Sequence, residues 1–474
     1  MMNYYRLSLS HNQNVVNDIQ HNIKSSAHTE REVIKMNSIW NITAERPRFE
    51  SLDGDTRVDF LIIGGGIAGI LCAHALSSAG ADCALIEADK ICGGITQNTT
   101  AKITVQHGLI YDKLIQRFGA ETARLYYEAN NDALKEYRRL TADIDCDFEE
   151  SDAYLYSRDN REKIEKEAKA YEKLGIKGEL TEKVSLPFSV AGALRISGQG
   201  NFNPLKFLYK ISEGLRIYEN TKAIHFAPGL VITNRGKIWA KKIIVTTHFP
   251  IINKHGGYFV KMYQHRSYVL ALKNAPQVDG MYIDENEKGI SFRNYGEYLL
   301  LGGGSHRTGK KGGNWRELEE FAAKYYPNSK EVCRFATQDC MTLDGIPYIG
   351  RYSHKAEGLY VASGFNKWGM TSSMVASMIL RDEILGKKGR YAEVFNPRRS
   401  ILRPQLALNL FETAKNLLTP TVPRCPHLGC ALKYNKAEHT WDCPCHGSRF
   451  REDGKLIDNP ATDDKKWLGR CLPS

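Results

Sequence analysis

The apolar positions of this chain fall into short runs and helical stripes. Val58–Ile63 (VDFLII) is a compact apolar run of the kind a strand buried on both faces requires. Ile67–Ala79 reads as a small-residue helix, and Ala81–Ile86 as a second apolar run closed by Glu87. Ala120–Leu140 sets Ala123, Tyr126, Ala129, Ala133 and Tyr137 at helical spacing. Phe148–Tyr156 alternates as a strand does, and Asn160–Leu174 carries Glu and Lys at i,i+4 as an exposed helix does. Ser185–Ser197 and Arg216–Phe226 read as strands, with a helix near Pro204–Glu213 between them. Lys241–Thr247 is another buried-type strand. Tyr258–Leu272 and Tyr282–Gly302 hold several strands with hairpins, and Trp315–Tyr325 is a helix. Leu359–Ser363 is a short strand, Thr371–Leu385 an apolar helix and Leu402–Leu417 a last helix. Alternation of strand and helix thus comes first, an antiparallel-looking stretch follows, and alternation returns. That order predicts an α/β nucleotide-type domain assembled from separated segments, with a second domain inserted.

At 474 residues the chain has room for two to three domains, and 42% hydrophobic with 25% charged residues is an ordinary globular balance. No run of about 20 apolar residues exists, so no membrane span is expected. Residues 1–35 are polar, rich in Asn, Gln and His, and lack an apolar core. They read as a disordered extension rather than a secretory signal, with Met36 an alternative start, and the expected compartment is cytoplasmic. The net charge of +11 is read as spread along the chain without a basic arm, so a solvated basic surface is expected and nucleic acid is not. Of 11 cysteines, Cys72, Cys83, Cys92, Cys146, Cys333 and Cys340 are scattered as small buried hydrophobes. Cys425, Cys430, Cys443, Cys445 and Cys471 crowd the last 50 residues, which in a cytosolic chain points to metal before structural disulfides.

Between the first two strands, Gly64, Gly66 and Gly69 stand in G-x-G-x-x-G spacing. Gly64 lets the chain turn off the strand, Gly66 lets a pyrophosphate approach the backbone, and Gly69 lets helix and strand pack closely. The helix N-terminus offers free N–H groups to the phosphates. Glu87, 18 residues past Gly69, can accept hydrogen bonds from ribose hydroxyls and disfavours a 2′-phosphate. The alternative is an ordinary glycine-rich turn between strand and helix.

Two later stretches narrow the picture. Asp344-Gly-Ile-Pro-Tyr-Ile-Gly350 is a tight turn, and Gly364-Phe-Asn-Lys-Trp-Gly369-Met370 is a glycine-bounded loop opening a helix. Together with GGGIAG and Glu87, they resemble the FAD-dependent oxidoreductases of the D-amino-acid oxidase and glycine oxidase superfamily, over about residues 57–388. The resemblance implies FAD rather than NAD. Gly64, Gly66, Gly69 and Glu87 would hold the ADP half. Thr96, Asp344, Gly350, Gly364, Gly369 and Met370 would lie near the ribityl and flavin half. Cys340 lies near the segment through which some relatives attach flavin covalently, but its spacing to Asp344 does not fit that form.

The tail carries the sharpest signal, RCPHLGCALKYNKAEHTWDCPCHGSRF over residues 424–450. Cys425 and His427 form C-x-H, and Cys443 and His446 form C-x-x-H. Two thiolates and two imidazoles suit one tetrahedral zinc or a [2Fe–2S] cluster. CPHLGC…CPCHGS resembles the Rieske cluster-binding loops. On that resemblance Cys425, His427, Cys443 and His446 are ligands, and Cys430 and Cys445 form a disulfide tying the loops. Ser448 matches a position whose hydroxyl bonds a bridging sulfur, whereas Phe450 stands where high-potential relatives carry Tyr, so a lower potential is expected. Only a short stretch separates the helix Leu402–Leu417 from Cys425. The small barrel is thus truncated at its front, and either the flavin domains shield the cluster or its loading is poor. Gly454–Pro460 matches the closing strand and proline loop.

The implied fold is α/β: a glutathione-reductase-type, Rossmann-like FAD domain (57–110, 192–252 and 327–388) with an inserted antiparallel-sheet substrate domain (111–191 and 253–326). An N-terminal extension (1–56), a helical linker (389–422) and a small all-β Rieske domain (423–474) complete it. The implied function is dehydrogenation of a small amine, amino acid or hydroxy acid. Single electrons would pass between flavin and cluster, with a soluble electron-transfer partner. His265, Arg266, Tyr268, His306 and Arg307 are the candidates for the substrate cavity, since Arg pairs with carboxylates and His or Tyr can move protons. Two alternatives stay open: an electron-relay reductase without its own organic substrate, and a structural zinc knot on an ordinary oxidase.

Overall fold

The computed structural model describes residues 37–387, 389–420 and 423–466. The extension 1–35, Met36 and Cys471 lie outside the described residues.

Thr56–Ile63 lies inside a sheet ordered Tyr348–Arg351, Leu359–Ser363, Lys237–Val245, Thr56–Ile63, Cys83–Ile86, Ile217–Tyr218. Its inner pairings are parallel, with Ile62 registered against Ile244 on one side and Leu85 on the other. Leu61 and Ile62 are both buried, so the strand is covered on both faces, as its unbroken apolar run requires. The helix Ile67–Ser77 is buried almost all round and packs against Gly369–Ile384. The expected single strand Arg216–Phe226 is instead two pieces. Asn220 adopts a left-handed φ of 51°, the chain reverses, and Ala223–Ala227 pairs with Leu230–Thr233 in a hairpin.

The second sheet is ordered Lys330–Thr342, Met262–Lys273, Tyr298–Arg307, Ser291–Tyr295, Met281–Asp284, Glu149–Ser157, Gly192–Asn201, Lys102–Ile103. It is antiparallel except where Met281–Asp284 runs alongside Glu149–Ser157. Two segments assigned to the nucleotide domain from the sequence, 192–201 and 330–342, are strands of this sheet. The first pairs with Glu149–Ser157, and the second pairs with Met262–Lys273 along nearly its whole length. The strand expected at Ser185 starts only at Gly192. The helix expected at Ala120 begins at Tyr111, as two segments joined at Gly119 (φ 84°).

The last part is a four-stranded antiparallel sheet, Lys433–Asn435, Thr440–Asp442, Arg449–Arg451 and Leu456–Asp458, preceded by the helix Pro404–Leu418. Leu456–Asp458 closes it, as the tail motif implied. The missing front of this small domain is covered by Met262–Lys273 and Lys330–Thr342 of the second sheet, through side chains described below.

Candidate active site and cluster pocket

A cavity of about 1100 Å³ runs from the Gly64–Gly66 turn to the Gly364–Met370 loop. At its first end, Gly64 has φ +111°, and a Cβ there would meet the Thr246 carbonyl oxygen at 2.8 Å. A Cβ on Gly69 would lie 1.9 Å from the Gly64 oxygen, so helix and strand pack in the way the glycine spacing predicts. Glu87 closes the turn: its carboxylate accepts from Gly65 N–H at 2.7 Å and Asp89 N–H at 2.9 Å. Burial pushes the Glu87 carboxyl up, against these bonds. Thr96 was expected near the flavin half. It lines the cavity beside the glycine turn, where its hydroxyl accepts from Ile67 N–H at 3.1 Å and faces Gly66.

At the other end, the Gly364–Met370 loop is held in a tight form. Gly364, Asn366 and Lys367 all have left-handed φ, and Asn366 accepts from Thr342 N–H at 2.8 Å. Met370 lines the cavity, and its carbonyl accepts from Tyr137. Asp344 also lines the cavity. Burial opposes its charge, but Arg399, at 2.7 and 2.8 Å, outweighs that and holds the carboxyl below its ordinary range. Gly350 does not line the cavity. It takes φ +133° on an edge strand, with Pro397 within 3.2 Å of where its Cβ would be.

Several cavity residues were missed from the sequence. His107 stacks on Trp368 with ring centroids 4.6 Å apart and bonds Tyr126 and Thr371, and burial pushes it down to about 3. Lys367 and Asp339 face the cavity. Burial shifts both toward their neutral forms, Lys367 down and Asp339 up, each partly countered by the other. Burial, helped by Arg293, brings Lys102 down to about 7. Lys367 stands inside the glycine-bounded loop and His107 ends the Gly- and Thr-rich stretch after Glu87, so position in those motifs was the available signal.

The candidates on Met262–Lys273 do not all line the cavity. His265 is Asp339's cross-strand partner, packs against Tyr263, and is pushed down to about 3 by burial and the nearby Lys367. Its Nδ1 is buried without a hydrogen-bond partner among the described residues. Of the other expected catalytic residues, Tyr268 lines the cavity, and Arg266 and His306 are corrected by the structure. Arg266 is buried in an ion pair with Glu438 of the C-terminal domain, Nε to Oε1 at 3.1 Å. The Tyr268 hydroxyl bonds the same carboxylate at 2.9 Å. His306 stacks on Tyr268, and Arg307 donates to the Pro444 carbonyl at 3.3 Å and Asn409 at 3.1 Å. Arg266, His306 and Arg307 therefore serve the domain boundary rather than the cavity, whereas Tyr268 lines the cavity and also reaches Glu438 across the boundary.

That boundary grips the second cysteine loop by its backbone. Gln264 donates to the His446 carbonyl at 3.0 Å, and Gln338 donates to the Gly447 carbonyl at 2.9 Å. A Cβ on Gly447 (φ +86°) would fall 2.6 Å from the Gln264 side chain, so glycine permits the approach. Within the pocket the Cys425 and Cys443 thiols touch, pushing the first up and the second down, and Ser448 reaches Cys425. The Cys430, Cys443 and Cys445 sulfurs lie within 4.8 Å of one another. In place of the disulfide implied by the Rieske resemblance, Cys430 and Cys445 are both thiols, in contact. The His427 and His446 rings are 5.1 Å apart. His446 is buried beneath Phe249 and Phe259. Although the Phe259 backbone lies beside it, neither of its ring nitrogens makes a hydrogen bond of normal geometry among the described residues, and the same is true of His427 Nδ1. Buried imidazole nitrogens left free beside paired thiols fit a mixed thiolate–imidazole iron site.

Comparison with known proteins agrees with this geometry. Residues 59–383 match the FAD dependent oxidoreductase family, and residues 396–471 match the Rieske [2Fe-2S] domain. YhfW of Bacillus subtilis (strain 168), whose name describes a Rieske 2Fe-2S iron-sulfur protein, is 36% identical over 494 residues, covering 90% of this chain and 97% of its own. Gamma-glutamylputrescine oxidoreductase of Escherichia coli (strain K12) is 24% identical over 379 residues, covering 72% of this chain and 87% of its own. The structure of L-proline dehydrogenase from P. horikoshii superposes with a TM-score of 0.62 at 18% identity, over 73% of this chain and 98% of that one. None of the described helices is long and apolar enough to cross a membrane.

Proposed function

The chain belongs to the FAD dependent oxidoreductase family and carries a C-terminal Rieske [2Fe-2S] domain, and on that footing we propose that it is a dehydrogenase of a small amine, amino acid or hydroxy acid that passes single electrons between flavin and cluster. Bound FAD supplies two-electron oxidation of such substrates, and a Rieske cluster supplies one-electron transfer.

Gly64, Gly66 and the N-terminus of Ile67–Ser77 bind the pyrophosphate, and Glu87 binds the ribose. The backbone of Gly364–Met370 meets the flavin. Asp339 and Lys367 position the substrate and hold or move its proton, with His265 packed beside them. Cys425, His427, Cys443 and His446 hold the cluster, with the Cys430 and Cys445 thiols in contact beside it. A soluble acceptor or donor completes the circuit in a cytoplasmic setting. The name of the Escherichia coli relative supports an amine among the substrate classes.

One observation carries the reading. Tyr263 and Ser267 of Met262–Lys273 line the cavity, while Gln264 between them donates to the His446 carbonyl, so one strand touches both sites. The test is anaerobic addition of small amines, amino acids and hydroxy acids to the purified holoprotein. Loss of flavin colour together with the rhombic resonance of a reduced Rieske cluster is expected. Bleaching by NAD(P)H or ferredoxin alone would establish the electron-relay reading, and zinc in place of iron would end both.

A further inference from the structure

The helix Pro404–Leu418 is built inside out. Its buried side chains are Asn409 and Asn416. Asn409 and Glu412 face the flavoprotein, accepting from Arg307 at 3.1 Å and from Lys310 at 2.6 Å. The opposite half of the wheel shows Leu408, Leu410, Phe411, Leu417 and Leu418 to solvent, with Ala407 and Ala414 between them. Phe411 is 64% exposed and Leu418 83%, and Lys415 is the one charged side chain on that half. Leu428 in the first cysteine loop continues the patch: it is exposed, and Leu417 lies beside its neighbour Gly429. A contiguous apolar face of this kind marks an interaction site.

The charge around it decides the occupant. Residues 387–436 hold ten Lys and Arg against two Glu, so a net +8 of the chain's +11 falls in this segment, and the even spread expected from the sequence is corrected. Arg399 and Arg390 are ion-paired, but Arg398, Lys415, Lys433 and Lys436 are exposed. An apolar helix face within a segment that carries exposed cations suits a surface that is apolar within and anionic outside. We propose that this face docks on an anionic lipid bilayer, the helix lying in the interface plane. At 15 residues the helix spans about 22 Å, too short to cross the roughly 30 Å of hydrocarbon. Its C-terminal end is fastened to the first cysteine loop, through Ala431 N–H to the Asn416 carbonyl at 3.0 Å and Arg424 to the Leu417 and Gly429 carbonyls at 2.9 Å. Docking therefore brings the loop that carries Cys425 and His427 to the membrane surface.

The test is sedimentation of the full-length holoprotein with vesicles of phosphatidylcholine alone or with phosphatidylglycerol. The protein is expected to pellet with the phosphatidylglycerol vesicles, and less so as salt rises. The double variant Leu410→Ser/Phe411→Ser should lower the bound fraction at least tenfold, with circular dichroism and flavin absorbance unchanged. Lys433→Glu/Lys436→Glu, which leaves the helix intact, should weaken binding to the anionic vesicles alone. Failure to pellet with either vesicle, or binding indifferent to both variants, overturns the proposal. So does a wild-type dimer in light scattering that Leu410→Ser/Phe411→Ser dissociates, since a second copy would then cover the face.

Discussion

Arg266 and Glu438 form a buried ion pair between the strand that borders the flavin cavity and the domain that carries the cysteine loops. Arg449 binds the same carboxylate at 2.7 Å, Tyr268 at 2.9 Å and Asn435 at 3.0 Å, so with Arg266 four side chains converge on Glu438. Burial works against its charge, but Arg266 and Arg449 outweigh it and hold Glu438 down to about 2. A buried charge is tolerated only when fully paired, so the network is strongly specific for one arrangement of the two parts.

Removing one partner should therefore hurt more than removing both. Glu438→Gln leaves Arg266 buried and unmatched, and about 3–5 kcal/mol of stability should be lost. Arg266→Met combined with Glu438→Leu should recover part of it. Urea unfolding followed by flavin fluorescence and cluster absorbance separately would read this, because a chain of several parts need not unfold in one step. A double variant worse than the sum of the singles would show that the pair is not coupled as described.

The same carboxylate gives a pH dependence of known sign. The folded pKa of Glu438 lies below the unfolded value of about 4.3, so its contribution is complete above pH 4.3 and is lost as pH falls toward 2. His107 acts at milder acidity. Burial pushes it down to about 3 against roughly 6.5 unfolded, so its contribution is present above pH 6.5 and declines below it. Between pH 6.5 and 5 the slope from this group approaches 1.4 kcal/mol per unit. His107→Gln, which keeps a polar partner for Tyr126 and Thr371, should flatten the pH–stability curve over that range. An unchanged slope would remove His107 as its source.

Gly69→Ala should empty the nucleotide site without unfolding the protein. Its Cβ would sit 1.9 Å from the Gly64 oxygen, so the phosphate-binding turn must shift. Overpacking of this kind costs about 1–3 kcal/mol, or roughly 5- to 150-fold in affinity for FAD if it falls on the turn. The FAD to protein ratio after desalting measures it, and full retention would show that the turn relaxes at no cost to the site.

What the sequence could and could not reveal follows from the range of the interactions involved. The nucleotide turn was legible because strand, glycines, helix and Glu87 are local in the chain. The pocket that gathers Cys425, His427, Cys443 and His446 was legible because the C-x-H and C-x-x-H pairs are compact motifs. The fate of Arg266, Tyr268 and His306 was not legible: it depends on Glu438, 172 residues along the chain from Arg266. Nothing local to Met262–Lys273 announces that a second domain covers Gln264 and Arg266. Likewise the strands at 192–201 and 330–342 look the same in either sheet until their partners are known.

Phe450 allows the electronic environment of the cluster to be tested apart from its assembly. The residue is fully buried and packs with Cys425, Cys430, Cys443 and Cys445. Ser448 reaches the Cys425 thiol and also accepts from Ala461 N–H at 2.9 Å, so one hydroxyl already serves the sulfur side of the pocket. Hydrogen bonds to the sulfurs stabilise the more negative, reduced cluster and raise its potential. A phenyl ring at position 450 has no donor to add. Phe450→Tyr should therefore raise the midpoint of the cluster, and Ser448→Ala should lower it, with iron content and the flavin midpoint unchanged. A redox titration followed by electron paramagnetic resonance reads both variants. If Phe450→Tyr leaves the midpoint where it was while iron is fully retained, the hydroxyl does not reach the sulfurs, and the low potential expected from the sequence needs another cause.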